Sequence, residues 1–547
     1  MKLNRVFGIL LALCLLLTSL TTVAVADEDN HLRIAVKLST TSIGTDKVWF
    51  WKWARDHFDI DFDIIEVPQA SMADWKTLAF ASNDLPDVII SMYFTSDELV
   101  SYGALEGQLV DLSKYVTDSA IMPNLARLYA AHPEYKAAVS TADGSIYGLG
   151  KIGFSNRFLT FFTYFVKQEY LDRIGYDSIP DTMEGIVDML REFKKLDGVI
   201  PCEGFNKSVN ISNLIFASAG LATSGNTGFN PALKYTNGQE AEVVLPYADR
   251  DVYTYYLTTM NTLFTEGLIT DDYYTQTNSN QIKANVAEGK SAMICHNLSV
   301  YGISDYDAYT GWKAVAPLTS AINNHRIWPE VENNLTTGGV VVTSHCKNVE
   351  LACSFIDWFY DANNLFTAEY GFPHGDEQNY EYGGYMIDDN GVLSHYDYTV
   401  NHMDESESMY VYTYKQGWDN GVFGYQPADY TRLAYTTLDK EALFKPDDNF
   451  NDSTANGYVN MLYDAILAEP GVGVKQYPNI IFFTPEETEA VMNLKSIIED
   501  YVSSESAKFI TGVRPLNEID NFFDELDVLG VQELLGYYKN YYENIQH

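Results

Sequence analysis

The sequence predicts an α/β protein of at least two lobes, with a chain that passes between them several times. Three observations carry this. In the first third, short apolar runs of strand length alternate with helical patterns, the order that builds a parallel sheet with crossover helices. The chain has 547 residues. Even with an N-terminal leader removed, about 520 residues exceed what one core organises. No internal repeat or low-complexity tether interrupts it, so the lobes interleave.

The elements follow in order. Residues 32–36 (LRIAV) form the first strand and run into a polar loop, Lys37 to Ser42. Residues 46–58 form a helix with Trp49 and Trp53 on one face, a spacing that assigns both to the core. Residues 62–67 (FDIIEV) form the second strand, and 74–81 the next helix. In LAFASNDLPDVIISMY, residues 78–93, a helix ends, Ser82-Asn83-Asp84 turns, and Val88-Ile89-Ile90 forms a buried parallel strand. Ligands of open α/β sheets sit outside the carboxyl ends of strands, which singles out Met92 and Tyr93.

Further on, 158–167 reads as an aromatic-rich strand and 168–174 as a short helix ended by Gly175. A helix over 183–196 carries the stripe Ile186, Met189, Leu190 and Phe193. Helices over 252–266 and 281–288 end at Gly267 and Gly289. Strands cover 292–295, 312–316 and 338–343, and a helix covers 348–360, where Trp358 faces the core. Asp389-Asn390-Gly391 is a hairpin turn. Residues 484–502 and 518–546 are helical, giving a helical C-terminal region.

The first 26 residues are a processing signal. Lys2 and Arg5 precede the apolar stretch 6–20, and Ala24-Val25-Ala26 is a small-residue cleavage site. The stretch is short for a membrane span, and no later segment is apolar enough to be one. The mature chain therefore works outside the cytoplasm. Cys14 raises lipid attachment, and with it association with the outer face of the membrane. A bulky Leu13 before it fits lipoprotein cleavage poorly, so plain secretion is expected. Thirty-five basic against 75 acidic residues give a net charge of −40. That field repels nucleic acid and anionic membranes and keeps a secreted protein soluble. The 40 Tyr, 28 Phe and 8 Trp suit the apolar faces of sugars, although core packing accounts for many of them. Cys202, Cys295, Cys346 and Cys353 match no zinc spacing, and Cys353 sits in an apolar helical pattern as a buried thiol.

Seven stretches, in one order, resemble the type 1 extracellular solute-binding proteins of ABC importers, in particular the long carbohydrate-binding branch related to lipoproteins. They are Ala81 to Val88, with Asn83 where the family has Gly; Gly107 to Leu112 with Tyr115; and Gly144 to Leu149, with Gly150 for Pro. The others are Tyr164 to Gly175, with Lys167 for Arg and Tyr170 for Trp; Ala287 to Met293; Asn348 to Trp358; and Phe509 to Gly512 with Leu529-Gly530. The resemblance implies a two-lobed periplasmic-binding-protein-like fold (type II), with one sheet per lobe and a ligand cleft closed by hinge motion. Residues 27–150 and 319–372 would form the first lobe, and 151–318 and 373–547 the second. Crossings are expected near 148–153, 317–321 and 371–375. Some alginate-binding relatives carry a calcium loop after the helix matching 183–196. Here Leu196-Asp197-Gly198-Val199-Ile200-Pro201 lacks the liganding oxygens. Asp447, Asn449 and Asn451 have calcium-loop spacing, but Asp452 replaces the turn Gly and Tyr458 the bidentate Glu. No metal or cofactor is expected.

The nucleophile elbow, zinc-protease, P-loop and dinucleotide-binding patterns are absent, and the ten His do not cluster. The expectation is therefore a monomeric binder of a sugar, an oligosaccharide, that serves ABC permease subunits without catalysis. The alternatives are a binder of another polar solute and a secreted glycan-processing enzyme, whose carboxylate pair is defined only in space. Candidate contacts lie at strand ends and cleft loops: Lys37, Ser39, Met92, Tyr93, His296, Asn297, Trp328, Trp418 and, from its helix, Trp75.

Overall fold

The computed structural model describes residues 30–39, 42, 44–153, 164–206, 210–223, 228–235, 241–276, 280–295, 298–301, 303, 311–330, 334–373, 384–387, 393–396, 423–426 and 471–545. The leader, residues 158–163, His296, Asn297, the turn 389–391, Trp418 and the 447–458 loop lie outside the described residues.

Two four-stranded sheets organise the chain. In the first, His31–Leu38 lies between Asp61–Pro68 and Val88–Ile90, parallel to both, and Val340–Val342 adds antiparallel to Val88–Ile90. Both faces are covered, as the apolar runs require. Ile34, Val36, Val88, Ile90, Val340 and Val342 meet helices Trp49–Phe58 and Val349–Asp357 on one face. Ala35, Ile89 and Val341 meet Phe80, Met92 and Phe94 on the other. The period-2 alternation of strand side chains sorts these residues. Asn83 caps helix Met72–Ser82 in the left-handed conformation, φ 53°, the role Gly would fill.

The second sheet orders Trp312–Ala314, Tyr164–Lys167, Ser291–Cys295 and Ile200–Cys202. Its last two strands are parallel and the other pairings antiparallel. Its core takes in helices Met183–Lys194, Arg250–Thr265 and Pro485–Ile510 and the two C-terminal helices. Pro485–Ile510 starts at a capping box of Thr484 and Glu487 and outruns the expected end at 502, because Phe509 and Ile510 are also buried. The expected single helix over 518–546 is two, Ile519–Val528 and Val531–Ile545, separated at Gly530, φ 93°.

A small three-stranded sheet packs on the first core through Ile152, Leu335 and Tyr425. Lys151–Gly153 pairs antiparallel with Asn334–Leu335 and parallel with Gly424–Gln426. Two segments near the expected lobe boundaries pack as follows. Ile327 and Trp328, after the expected 317–321 crossing, pack in the second core. Phe423, assigned by sequence to the second lobe, packs in the first core against Phe359. Gly384–Ile387 and Leu393–Tyr396 form the antiparallel pair that the 389–391 turn implied.

Asp357 joins distant parts of the first half. Its buried carboxylate accepts from the backbone N–H of Asn124 (3.0 Å) and Leu125 (2.8 Å), at the start of helix Pro123–Ala131. These are first-turn donors that the helix cannot satisfy itself. Asp357→Ala is expected to cost about 2 kcal/mol in denaturant unfolding, because two donors lose their acceptor in a dry site.

Candidate functional site

The carboxyl edge of the first sheet presents a built polar feature. The strand His31–Leu38 carries Lys37 near its end, 5% exposed. Its ammonium donates to Tyr93 Oη at 3.0 Å and lies 4.4 Å from the Tyr93 ring centroid. Tyr93 is 48% exposed. Ser39 follows, half-buried, in the loop after the strand.

The backbone explains how Tyr93 is presented. Ser91 (φ 65°) and Tyr93 (φ 49°) are both left-handed, a conformation that costs a non-glycine residue free energy and clusters at functional sites. Between them Met92 is fully buried. Ser91 N–H donates to Gly339 O (2.8 Å) and Phe94 N–H to Gly338 O (2.9 Å), so the segment 338–339 holds both sides of the kink. The loop after the first strand is tied down separately. Thr45 N–H and Oγ1 both donate to Glu66 Oε1 at 2.6 Å.

On the second sheet, Ile200–Cys202 ends opposite Met293, two residues before its parallel neighbour Ser291–Cys295 ends. Glu203 follows, 1% exposed, its Oε1 accepting from Ser291 Oγ at 2.7 Å. Burial pushes this carboxyl above the usual range, against the hydrogen bonds from Ser291 and Asn285. Tyr301 Oη donates to Cys295 O, the last residue of the strand, at 3.1 Å.

A cavity of about 310 Å³ draws on both halves. Phe94, Thr95 and Asp97 come from the segment after Tyr93; Asn230, Pro231, Lys495 and Tyr538 come from the second half; Thr336, Thr337 and Asn479 come from the segments between. Lys495 Nζ stands 4.0 Å from Asp97 Oδ2. Burial raises the Asp97 carboxyl, and Lys495 opposes this.

The sequence candidates therefore separate. Lys37 and Tyr93 are in contact, with Ser39 beside them. Trp75 is partly buried against the apolar layer of Phe80 and Phe94. Met92 does not reach the cleft rim, because the left-handed Ser91 turns its side chain into that layer. Trp328, expected in a loop, is 2% exposed in strand Trp328–Glu330, edge-on to Tyr164 at 6.3 Å. Sequence reasoning missed Lys495, Asn230 and Thr336. They carry no motif and meet only through the packing of the two halves.

Comparison with known proteins adds family and fold. Residues 39–364 match the family described as bacterial extracellular solute-binding protein. The fructooligosaccharide ABC transporter substrate-binding protein FusA of Streptococcus pneumoniae is 21% identical over 495 residues, covering 87% of this chain and 84% of that protein. Its structure in complex with kestose has a TM-score of 0.71 at 18% identity, covering 94% of this chain and 99% of that one. An HMO-binding, ABC-transporter-associated solute-binding protein of Bifidobacterium longum infantis reaches 0.67 at 17% identity over 94% and 99%. The alginate-binding protein AlgQ2 without calcium ion reaches 0.67 at 16% over 94% and 98%. These likenesses show the two-lobed α/β fold that the sequence predicts.

Proposed function

The chain belongs to the bacterial extracellular solute-binding protein family, and from that premise we propose that it captures an oligosaccharide between its two lobes and hands it to an ABC permease. The observation that carries this is the near full-length likeness to FusA, whose name specifies fructooligosaccharide. The Lys37–Tyr93 pair supports it, since an exposed ring with an oriented hydroxyl suits a sugar's mixed apolar and polar faces. We assign Lys37, Ser39 and Tyr93 to the first lobe's ligand edge and keep His296, Asn297 and Trp418 as candidates for the opposite side. Trp75 is a rim candidate. Met92 and Trp328 support the site from the cores.

The mechanism is reversible binding with lobe closure, which the permease reads as a population shift. We divide the chain into a first lobe of residues 27–150, 335–372 and 423–426 and a second lobe holding most of the remainder. The hinge then runs through Lys151–Gly153 and Asn334–Leu335. Work outside the cytoplasm as a monomer fits the strongly acidic composition. Among the described residues no helix is long and apolar enough to cross a membrane. The family's members are binding components of importers, and we assign no catalysis.

A thermal-shift screen over intact fructooligosaccharides, N-glycan fragments and alginate oligomers tests this. At a hundredfold excess over Kd the cognate sugar adds about 2.7 kcal/mol to stability, and the sugar is recovered unchanged. In Tyr93→Ala the apparent Kd should rise about tenfold. A flat screen defeats the carbohydrate reading, and turnover of the sugar would establish the enzyme instead.

A further inference from the structure

Cys202 and Cys295 end the two parallel strands of the second sheet. Met293 lies opposite Cys202 in register, so Cys295, two residues on, is its diagonal neighbour on the same face. The two Sγ atoms are 3.7 Å apart although the residues are 93 positions apart in sequence. They are 1% and 3% exposed.

We propose that Cys202 and Cys295 form a disulfide when this chain matures outside the cytoplasm. A bond of about 2.0 Å needs each sulfur to move by less than about 1 Å, within reach of a χ1 adjustment on adjacent strands. The oxidant is a disulfide-bearing thiol oxidant of that compartment. Each cysteine gives up its proton, the two sulfurs join, and two electrons open the oxidant's disulfide, which takes up both protons as two thiols. Burial pushes the Cys295 thiol up, so exchange in the folded protein is slow. The bond forms while the sheet is assembling and is then shielded.

The cross-link has a purpose that the fold makes plain. It ties the strand ends immediately before Glu203 and before His296 and Asn297, so it sets the spacing of the second lobe's ligand edge. It also closes a long loop in the unfolded chain, where a disulfide stabilises most. The inference depends on extracytoplasmic maturation and not on which solute is bound.

The test uses the full chain secreted by a bacterial host, denatured and alkylated without reductant. Cys346 and Cys353 take up label, Cys202 and Cys295 do not, and proteolysis releases one peptide pair joining Cys202 to Cys295 that reductant separates. All four thiols labelled, or a cross-link between other cysteines, overturns the proposal. In parallel, reductant should lower the wild-type melting temperature by several degrees and leave the Cys202→Ser, Cys295→Ser double variant unmoved. Equal sensitivity of both proteins would also count against the bond. Mapping of the wild-type chain stands even where the double variant folds poorly.

Discussion

Gly338→Ala is expected to cost about 3 kcal/mol of unfolding free energy and to weaken sugar binding at the same time. Gly338 sits at φ 68°, in the left-handed region that favours glycine. A Cβ there would lie 2.0 Å from Phe94 O and 2.8 Å from Phe94 C. Those atoms are backbone and cannot swing away as a side chain would. The displaced segment is the one that bonds Phe94 N–H and, through Gly339, Ser91 N–H. The kink presenting Tyr93 moves with it. Gly144→Ala is the control. Gly144 has φ 88°, but a Cβ there meets nothing within 4 Å. It should cost about 1 kcal/mol, from conformation alone, and leave binding unchanged. Urea unfolding and sugar titration of both variants separate the two effects. Equal losses in the two would mean that the close approach to Phe94 does not matter.

Trp51→Ala should cost about 4 kcal/mol, the range for deleting a fully buried aromatic ring. Trp51 is 0% exposed, with Phe50, Phe62 and Phe355 at centroid distances of 5.3, 5.6 and 6.4 Å. These rings come from three separate elements, the helix, the neighbouring strand and Val349–Asp357. Their collapse onto the gap would have to move all three. Trp75→Ala, at a partly buried ring, should cost about 1 kcal/mol or less by the same area argument. Denaturant midpoints of the two variants check the ranking, and a mild Trp51→Ala would mean that the core repacks.

The helix Trp49–Phe58 shows how far a pattern carries. The i, i+4 spacing of Trp49 and Trp53 marks an inward face, and both are buried. The same pattern leaves Trp51 and Phe50 unassigned, yet both are buried completely. The cause lies outside the helix. Phe62 and Phe355 pack on Trp51 at 5.6 and 6.4 Å, and Phe359 on Phe50 at 5.8 Å, so a neighbouring strand and a distant segment cover the residues that periodicity leaves unassigned.

Met92 and Tyr93 show the complementary case. Their position after a buried strand is legible, because apolar length and turn residues mark where Val88–Ile90 begins and ends. Which of the two points outward is not legible. Strand alternation stops at Ser91, whose left-handed backbone no glycine announces, and hydrogen bonds donated by Ser91 N–H and Phe94 N–H to the carbonyls of Gly339 and Gly338 set the outcome. Trp328 is similar, since its strand partner is Gly473–Lys475, far along the chain.

By itself the sequence determined the strands of the first sheet and the helices flanking it, the strongly acidic composition, and an ordered set of short motifs that point to the family. Those are local properties, carried by residue spacing and turn chemistry. Tertiary structure alone decided that Lys37 meets Tyr93, that Trp328 and Met92 are core, that Phe423 belongs to the first half, and that Cys202 lies against Cys295. Each depends on the order in which strands enter a sheet, and that order is set by the joint burial of many apolar faces.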